Sequence, residues 1–136
     1  MLTSVAAFIF KDNKALIAQR AVDEDFLAGY WELVGGGVEP NETSEEAVVR
    51  ETKEESGLMI TVGQKYHDFP FIHADGRQIQ AVAFDCKING DQKVVLSAEH
   101  QEYKWITADE LASIKPMTYS MREMIRKGFK LQCDRV

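Results

Sequence analysis

The sequence predicts a layered α/β domain, and three observations carry that expectation. Short β-rich segments are interleaved with helical ones, a central helix is bounded by recognisable caps, and an amphipathic helix lies near the C-terminal end. Residues 4–10 (SVAAFIF) and 14–19 (KALIAQ) flank the turn-prone Lys11-Asp12-Asn13 and read as a β-hairpin, the apolar stretch from Met1 to Phe10 being a first strand rather than a leader or a membrane span. Residues 21–29 form an acidic loop. A short extended segment at 30–34 then runs into three glycines, 35–37, expected as a flexible loop.

The central helix begins near Ser44. Thr43-Ser44-Glu45-Glu46 has capping-box spacing, and Gly57 can take the left-handed conformation that closes a helix. Ala47, Val48 and Thr52 give it one modest apolar stripe, so its other side stays polar. Strands are expected at 60–66 and 78–88 around a turn at Ala74-Asp75-Gly76, and a third at 103–106. A short helix at 108–114 and an amphipathic helix at 117–129, after Pro116, complete the chain.

With 136 residues, 45% hydrophobic and 28% charged, the chain suits a single globular domain spanning 1–136 and is unlike a disordered or fibrous sequence. A formal charge of -6 argues against a protein that grips nucleic acid polymers through clustered Lys and Arg. A small anionic substrate stays compatible with that charge if a metal bridges the repulsion. Cys86 and Cys133 have neither metal-ligand spacing nor the density of a secreted disulfide scaffold, so reduced thiols and a cytoplasmic location are expected, without a membrane partner.

The polar side of the central helix carries the chemistry. Helical positions three and four apart are neighbours, so Glu51, Glu54 and Glu55 are expected to converge on one face. Like charges at that spacing cost about 0.2–0.5 kcal/mol per pair, which Lys or Gln would avoid. A hard divalent cation turns that repulsion into binding, and magnesium, which takes a few carboxylates plus substrate phosphates, suits the set. Arg50 is placed to orient a neighbouring glutamate through charge-assisted hydrogen bonds, and Glu42 either pairs with Arg50 or favours the helix dipole.

This stretch resembles the Nudix box, whose pattern is matched by Gly36, Glu42, Arg50, Glu51, Glu54, Glu55, Gly57 and Leu58. Seven of these positions demand one residue type, so a chance match at a given start is on the order of 10⁻⁸, which excludes coincidence. Thr52 departs from the pattern where an aliphatic residue is usual, Val34 stands where many members have proline, and Gly37 where many have lysine. The resemblance, which extends in element order across most of the chain, implies an α/β/α sandwich around a mixed central sheet. It also implies a magnesium-dependent hydrolase, with manganese as a substitute, that cleaves a phosphoanhydride in a nucleoside diphosphate-linked substrate.

By that resemblance Glu54 and Glu55 are metal ligands, the Gly35 or Gly36 carbonyl is a further ligand, and Glu51 is a ligand or water-positioning base steadied by Arg50. Glu99, six residues before Trp105, matches a glutamate that reaches the metal site in MutT-like members, with Glu102 as the substitute candidate. The same segment and the compact length favour a nucleoside triphosphate pyrophosphohydrolase giving a nucleoside monophosphate and pyrophosphate. A nucleotide-sugar or dinucleoside polyphosphate hydrolase, and a non-catalytic nucleotide-binding module, are the alternatives. A homodimer is the default assembly. His100 reads as a loop histidine, Trp31 and Trp105 as core. Phe69, Phe71, His73, Thr118 and Tyr119 are candidates for base contacts, set against a structural role for each.

Overall fold

The computed structural model describes residues 2–73 and 75–135. Met1, from the expected first strand, and Ala74, from the expected turn, lie outside the described residues. The strands are β1 (Leu2–Lys11), β2 (Lys14–Arg20), β3 (Trp31–Glu32), β4 (Gly35–Gly37), β5 (Ile60–Ile72), β6 (Gln78–Ile88) and β7 (His100–Ile106). The helices are α1 (Ser44–Ser56), a 3-10 turn at Ala108–Ser113 and α2 (Tyr119–Asp134).

The sheet is mixed. β1 pairs parallel with β6 along one edge, from Leu2 opposite Ile79 to Ile9 opposite Cys86. Along its other edge β1 changes partner: Ser4–Ala6 pair with β4, and Phe10–Lys11 pair with β2. The expected hairpin is thus real, closed by Asp12 and Asn13 at φ 51° and 66°, a left-handed pair that matches strand twist. Beyond it β1 and β2 diverge, and the glycine run fills the fork. The expected flexible loop at 35–37 is therefore a short strand, because residues without side chains can lie against β1; a Cβ on Gly35 would collide with the backbone of Val5 and Ala6.

Both faces of β1 are buried. Val5, Ala7 and Ile9 pack with Ala47 and Val48 of α1, while Ala6 and Phe8 pack with Ile125 and Phe129 of α2. Strand alternation thus gives the sheet one helix on each face, the expected α/β/α sandwich. Phe8 is the centre of the α2 side, edge-on to Phe129 at a centroid distance of 5.1 Å and to Tyr66 at 6.0 Å.

Three boundaries move. β5 runs to Ile72, beyond the expected 66, pairing with β6 through register shifts between Val62 and His67. It is an edge strand, where Pro70 needs no ladder partner, so proline did not end it. β7 begins at His100 rather than 103. α2 starts at Tyr119, capped by the Thr118 hydroxyl, and extends to Asp134. α1 keeps its expected limits, with the Thr43–Glu46 capping box and Gly57 at φ 74°.

Thr52 is fully buried on the apolar stripe of α1, and its Oγ1 has no hydrogen-bond partner. A buried unpaired hydroxyl costs about 1–3 kcal/mol. Thr52→Val, which keeps the shape and removes that group, is expected to raise unfolding stability by about 1 kcal/mol in a urea titration; a lower midpoint would show the hydroxyl to be satisfied in solution.

Candidate active site

The fork between β1 and β2 opens into a cavity of about 890 Å³. It is lined by Ser4–Ala6 and the three glycines, by Glu51, Glu55 and Glu99, and by aromatic residues that include Phe69 and Phe71 of β5, three strands across the sheet from the glycines.

Glu55 ties the site together. Its side chain leaves the last turn of α1, is 5% exposed, and accepts a 2.9 Å hydrogen bond from the Gly35 amide of β4. Two backbone bonds zip the following segment onto the end of α1, Val95 N to Ser56 O and Ser97 N to Glu55 O, satisfying carbonyls that the helix leaves free. That segment carries Glu99 into hydrogen-bonding reach of Glu55. Burial, and then the Glu99 carboxyl, push the Glu55 carboxyl up to about 9. Both causes favour the protonated form of Glu55.

Arg50 organises the other side. It grips Glu42 with two bonds, Nε at 2.7 Å and Nη2 at 2.9 Å, and gives Nη2 to the Gly37 carbonyl at 3.0 Å. Nη1 reaches Glu51 Oε1 at 2.9 Å. The Arg50 bond holds the Glu42 carboxyl down to about 2, so Glu42 stays ionised and anchors the guanidinium. Burial raises the Glu51 carboxyl, and Arg50 opposes that rise. Gly36 lies under Glu51: a Cβ there would sit 2.5 Å from its carboxyl carbon, so only glycine leaves the carboxylate room.

The expected residues therefore separate into two groups. Gly36, Glu51, Glu55 and Glu99 meet at one end of the cavity, with Arg50 behind Glu51. Glu54 does not converge with them; its side chain is 57% exposed and lies 3.3 Å from Arg50. Glu102 is exposed opposite Gln19, away from the cavity lining. Among the described residues no three His, Cys, Asp or Glu side chains are gathered closely enough to hold a metal ion as they stand. The donors present still fit a hard cation. All are oxygens, and a divalent ion would offset the repulsion between these carboxylates, with phosphates and water completing its shell.

His100 corrects the expected loop histidine: it is buried at the start of β7, with Nε2 2.9 Å from Glu32. Glu32 also receives Arg20 at 3.3 Å, and Arg20 Nε holds the Phe26 carbonyl at 2.9 Å. This network under the 21–30 loop was not anticipated; its only sequence signal is a charged residue between the buried Trp31 and Leu33. Phe69, Phe71, His73, Thr118 and Tyr119 all line the cavity. Trp31 is core at its wall, and Trp105 packs partly buried against the α1-side core.

The NUDIX domain model matches residues 2–128, and the chain belongs to the Nudix hydrolase family. Members of this family work with a divalent metal. Among its relatives, CTP pyrophosphohydrolase of Escherichia coli K12 is 38% identical over 110 residues, covering 81% of this chain and 78% of the relative. Nucleoside triphosphatase NudI of Escherichia coli strain UMN026 is 32% identical, with coverage of 96% and 95%. The crystal structure of a MutT protein from Methanosarcina mazei Go1 superposes with a TM-score of 0.83 at 28% identity, over 96% of this chain and 94% of that one. No helix among the described residues is long and apolar enough to cross a membrane.

The Glu55 proton gives a pH signature. An unfolded glutamate loses its proton near 4.5, whereas Glu55 keeps it to about 9. Through that window the native state binds more protons than the unfolded state, so stability is greatest below the window and falls as pH rises through it. Urea midpoints of metal-free protein are expected to decline from pH 5 to 9, and Glu55→Gln to flatten the slope. Equal slopes in the two proteins would refute the buried, protonated state.

Proposed function

We propose that this chain hydrolyses nucleoside triphosphates to nucleoside monophosphate and pyrophosphate with magnesium as the metal. The single observation that carries the reading is the arrangement of one cavity, with oxygen donors from Glu51, Glu55, Glu99 and Gly36 at one end and an aromatic wall at the other. That spacing suits a ligand with a phosphate chain and a base. The names of the relatives, a CTP pyrophosphohydrolase and a nucleoside triphosphatase, support the same substrate class.

In this reading Glu55, Glu99, Glu51 and the Gly36 carbonyl, together with Glu54, would hold magnesium. The ion supplies neutralisation of phosphate charge. The chain's own residues do the rest. Arg50, fixed by Glu42, keeps the Glu51 carboxylate facing the cavity floor, and the glycine run lets the phosphate chain approach the backbone of β4. A water oxygen bonds to phosphorus as the bond to the departing pyrophosphate breaks, and a carboxylate of the Glu51, Glu55 and Glu99 set receives the water's proton. The aromatic wall seats the base and Tyr119 stands at the mouth. The unpaired thiols Cys86 and Cys133 support a reducing, cytoplasmic setting.

The reading is tested with nucleoside triphosphates, nucleotide sugars, ADP-ribose and dinucleoside polyphosphates, assayed with magnesium and a pyrophosphate or phosphate readout. Pyrophosphate release from triphosphates is expected, lost in excess chelator; preference for another class would overturn the assignment. Glu55→Gln is expected to lower kcat by about 10²–10⁴-fold with the circular dichroism spectrum unchanged. Gly36→Ala, which displaces Glu51, is expected to lower kcat more than it raises KM. Wild-type turnover in either variant would remove that residue from the mechanism.

A further inference from the structure

The cavity lining contains two permanent cations among the described residues, Arg20 and Lys127. They are differently placed. Arg20 is engaged by Glu32 at 3.3 Å, Glu24 at 3.8 Å and the Phe26 carbonyl at 2.9 Å. Lys127, which projects from α2, has no carboxylate within salt-bridge distance among the described residues. Its ammonium sits over the Phe69 ring, 4.2 Å from the centroid.

That contact fixes a donor without using it up. A cation over an aromatic face is held by the ring quadrupole, which leaves ammonium N–H groups free to donate elsewhere. Phe69 is itself steadied on β5 by His67, whose ring lies 4.9 Å away and is buried. His67 stays neutral because burial, and then the Lys127 charge, lower its pKa. In a chain of net charge -6, with the cavity's other permanent cation, Arg20, already paired, an ammonium held only by an aromatic face has a chemical meaning. Its ring partner Phe69 lies three strands across the sheet from the glycine run, through Ala81 of β6 and Ser4 of β1 to Gly37 of β4, so the ammonium is held away from the carboxylate end.

We propose that Lys127 reads the nucleobase by donating a hydrogen bond to a ring carbonyl oxygen, with Phe69 as the positioning residue that holds the ammonium there. The inference rests on the nucleoside triphosphate reading of the site. Lysine only donates, so it favours bases that present a carbonyl oxygen, namely cytosine, uracil and guanine. Adenine offers only ring nitrogens as acceptors and no carbonyl for a donor aimed at that oxygen, so it is the disfavoured base. A hydrogen bond from a charged donor in a partly desolvated pocket supports a preference of about tenfold or more.

The test compares binding of CMP, UMP, GMP and AMP by calorimetry, in magnesium, to the wild type, Lys127→Met, Lys127→Arg and Phe69→Leu. The wild type is expected to bind the three carbonyl bases at least about tenfold tighter than AMP. Lys127→Met is expected to bring all four within about threefold while the thermal midpoint stays put, Lys127→Arg to keep the preference, and Phe69→Leu to lose part of it. With triphosphates, the CTP to ATP ratio of kcat/KM is expected to collapse in Lys127→Met through KM, with kcat within about twofold. A wild type that binds nucleotides but keeps its preference in Lys127→Met overturns the role of Lys127. A wild type that binds none of the four overturns the nucleotide reading along with it.

Discussion

The Glu55 carboxyl is the point at which three separately folded pieces of chain are made to agree. It leaves α1, accepts the Gly35 amide of β4, and meets Glu99 from the segment laid over the helix end. A buried acid is tolerable only while its polar atoms are met, so the contact specifies where helix, glycine run and loop sit relative to one another. The same burial that would make a charge costly keeps a proton in place. The side chain that ties these pieces together is also one that the proposed mechanism assigns to the metal.

Arg50 has the complementary role. Held by Glu42 and the Gly37 carbonyl, it supplies a fixed positive charge behind Glu51, steadying a carboxylate that has no backbone donor of the kind Glu55 finds in Gly35. Arg50 also reaches Glu54, so that glutamate rests against the helix rather than in the cavity. The cluster is thus partly compensated internally, which explains how a helix with so many acids folds.

Much of this was legible in the sequence because it is local. The limits of α1 follow from Thr43, Glu46 and Gly57, and the Glu51, Glu54 and Glu55 pattern is written within two turns. Glu99 was legible through its spacing to Trp105, although only the backbone bonds of residues 95–97 explain how it arrives. What escaped was long-range or masked by composition. The glycine run looked flexible because its order comes from β1, not from its own residues. Pro70 and the polar residues of β5 hid a strand that an edge position permits. His100 looked like a solvent-facing loop residue until β7 paired it against the Glu32 side of the fold. Lys127 meets Phe69 only because α2 packs across β5, which no local pattern announces.

The parallel pairing of β1 with β6 has a consequence for the order of biosynthesis. Leu2 finds its partner only when Ile79 has been made, and every element that carries the Nudix box lies between them. Parallel strands need such a long crossover, and closing it is the slow, entropically costly event of a chain like this. The first strand therefore leaves the ribosome well before it can be buried, with Val5, Phe8 and Ile9 still facing water. The hairpin closed at Asp12 and Asn13 pairs only Phe10 and Lys11, so the apolar residues before them stay open to a wrong neighbour until β4 and then β6 are made.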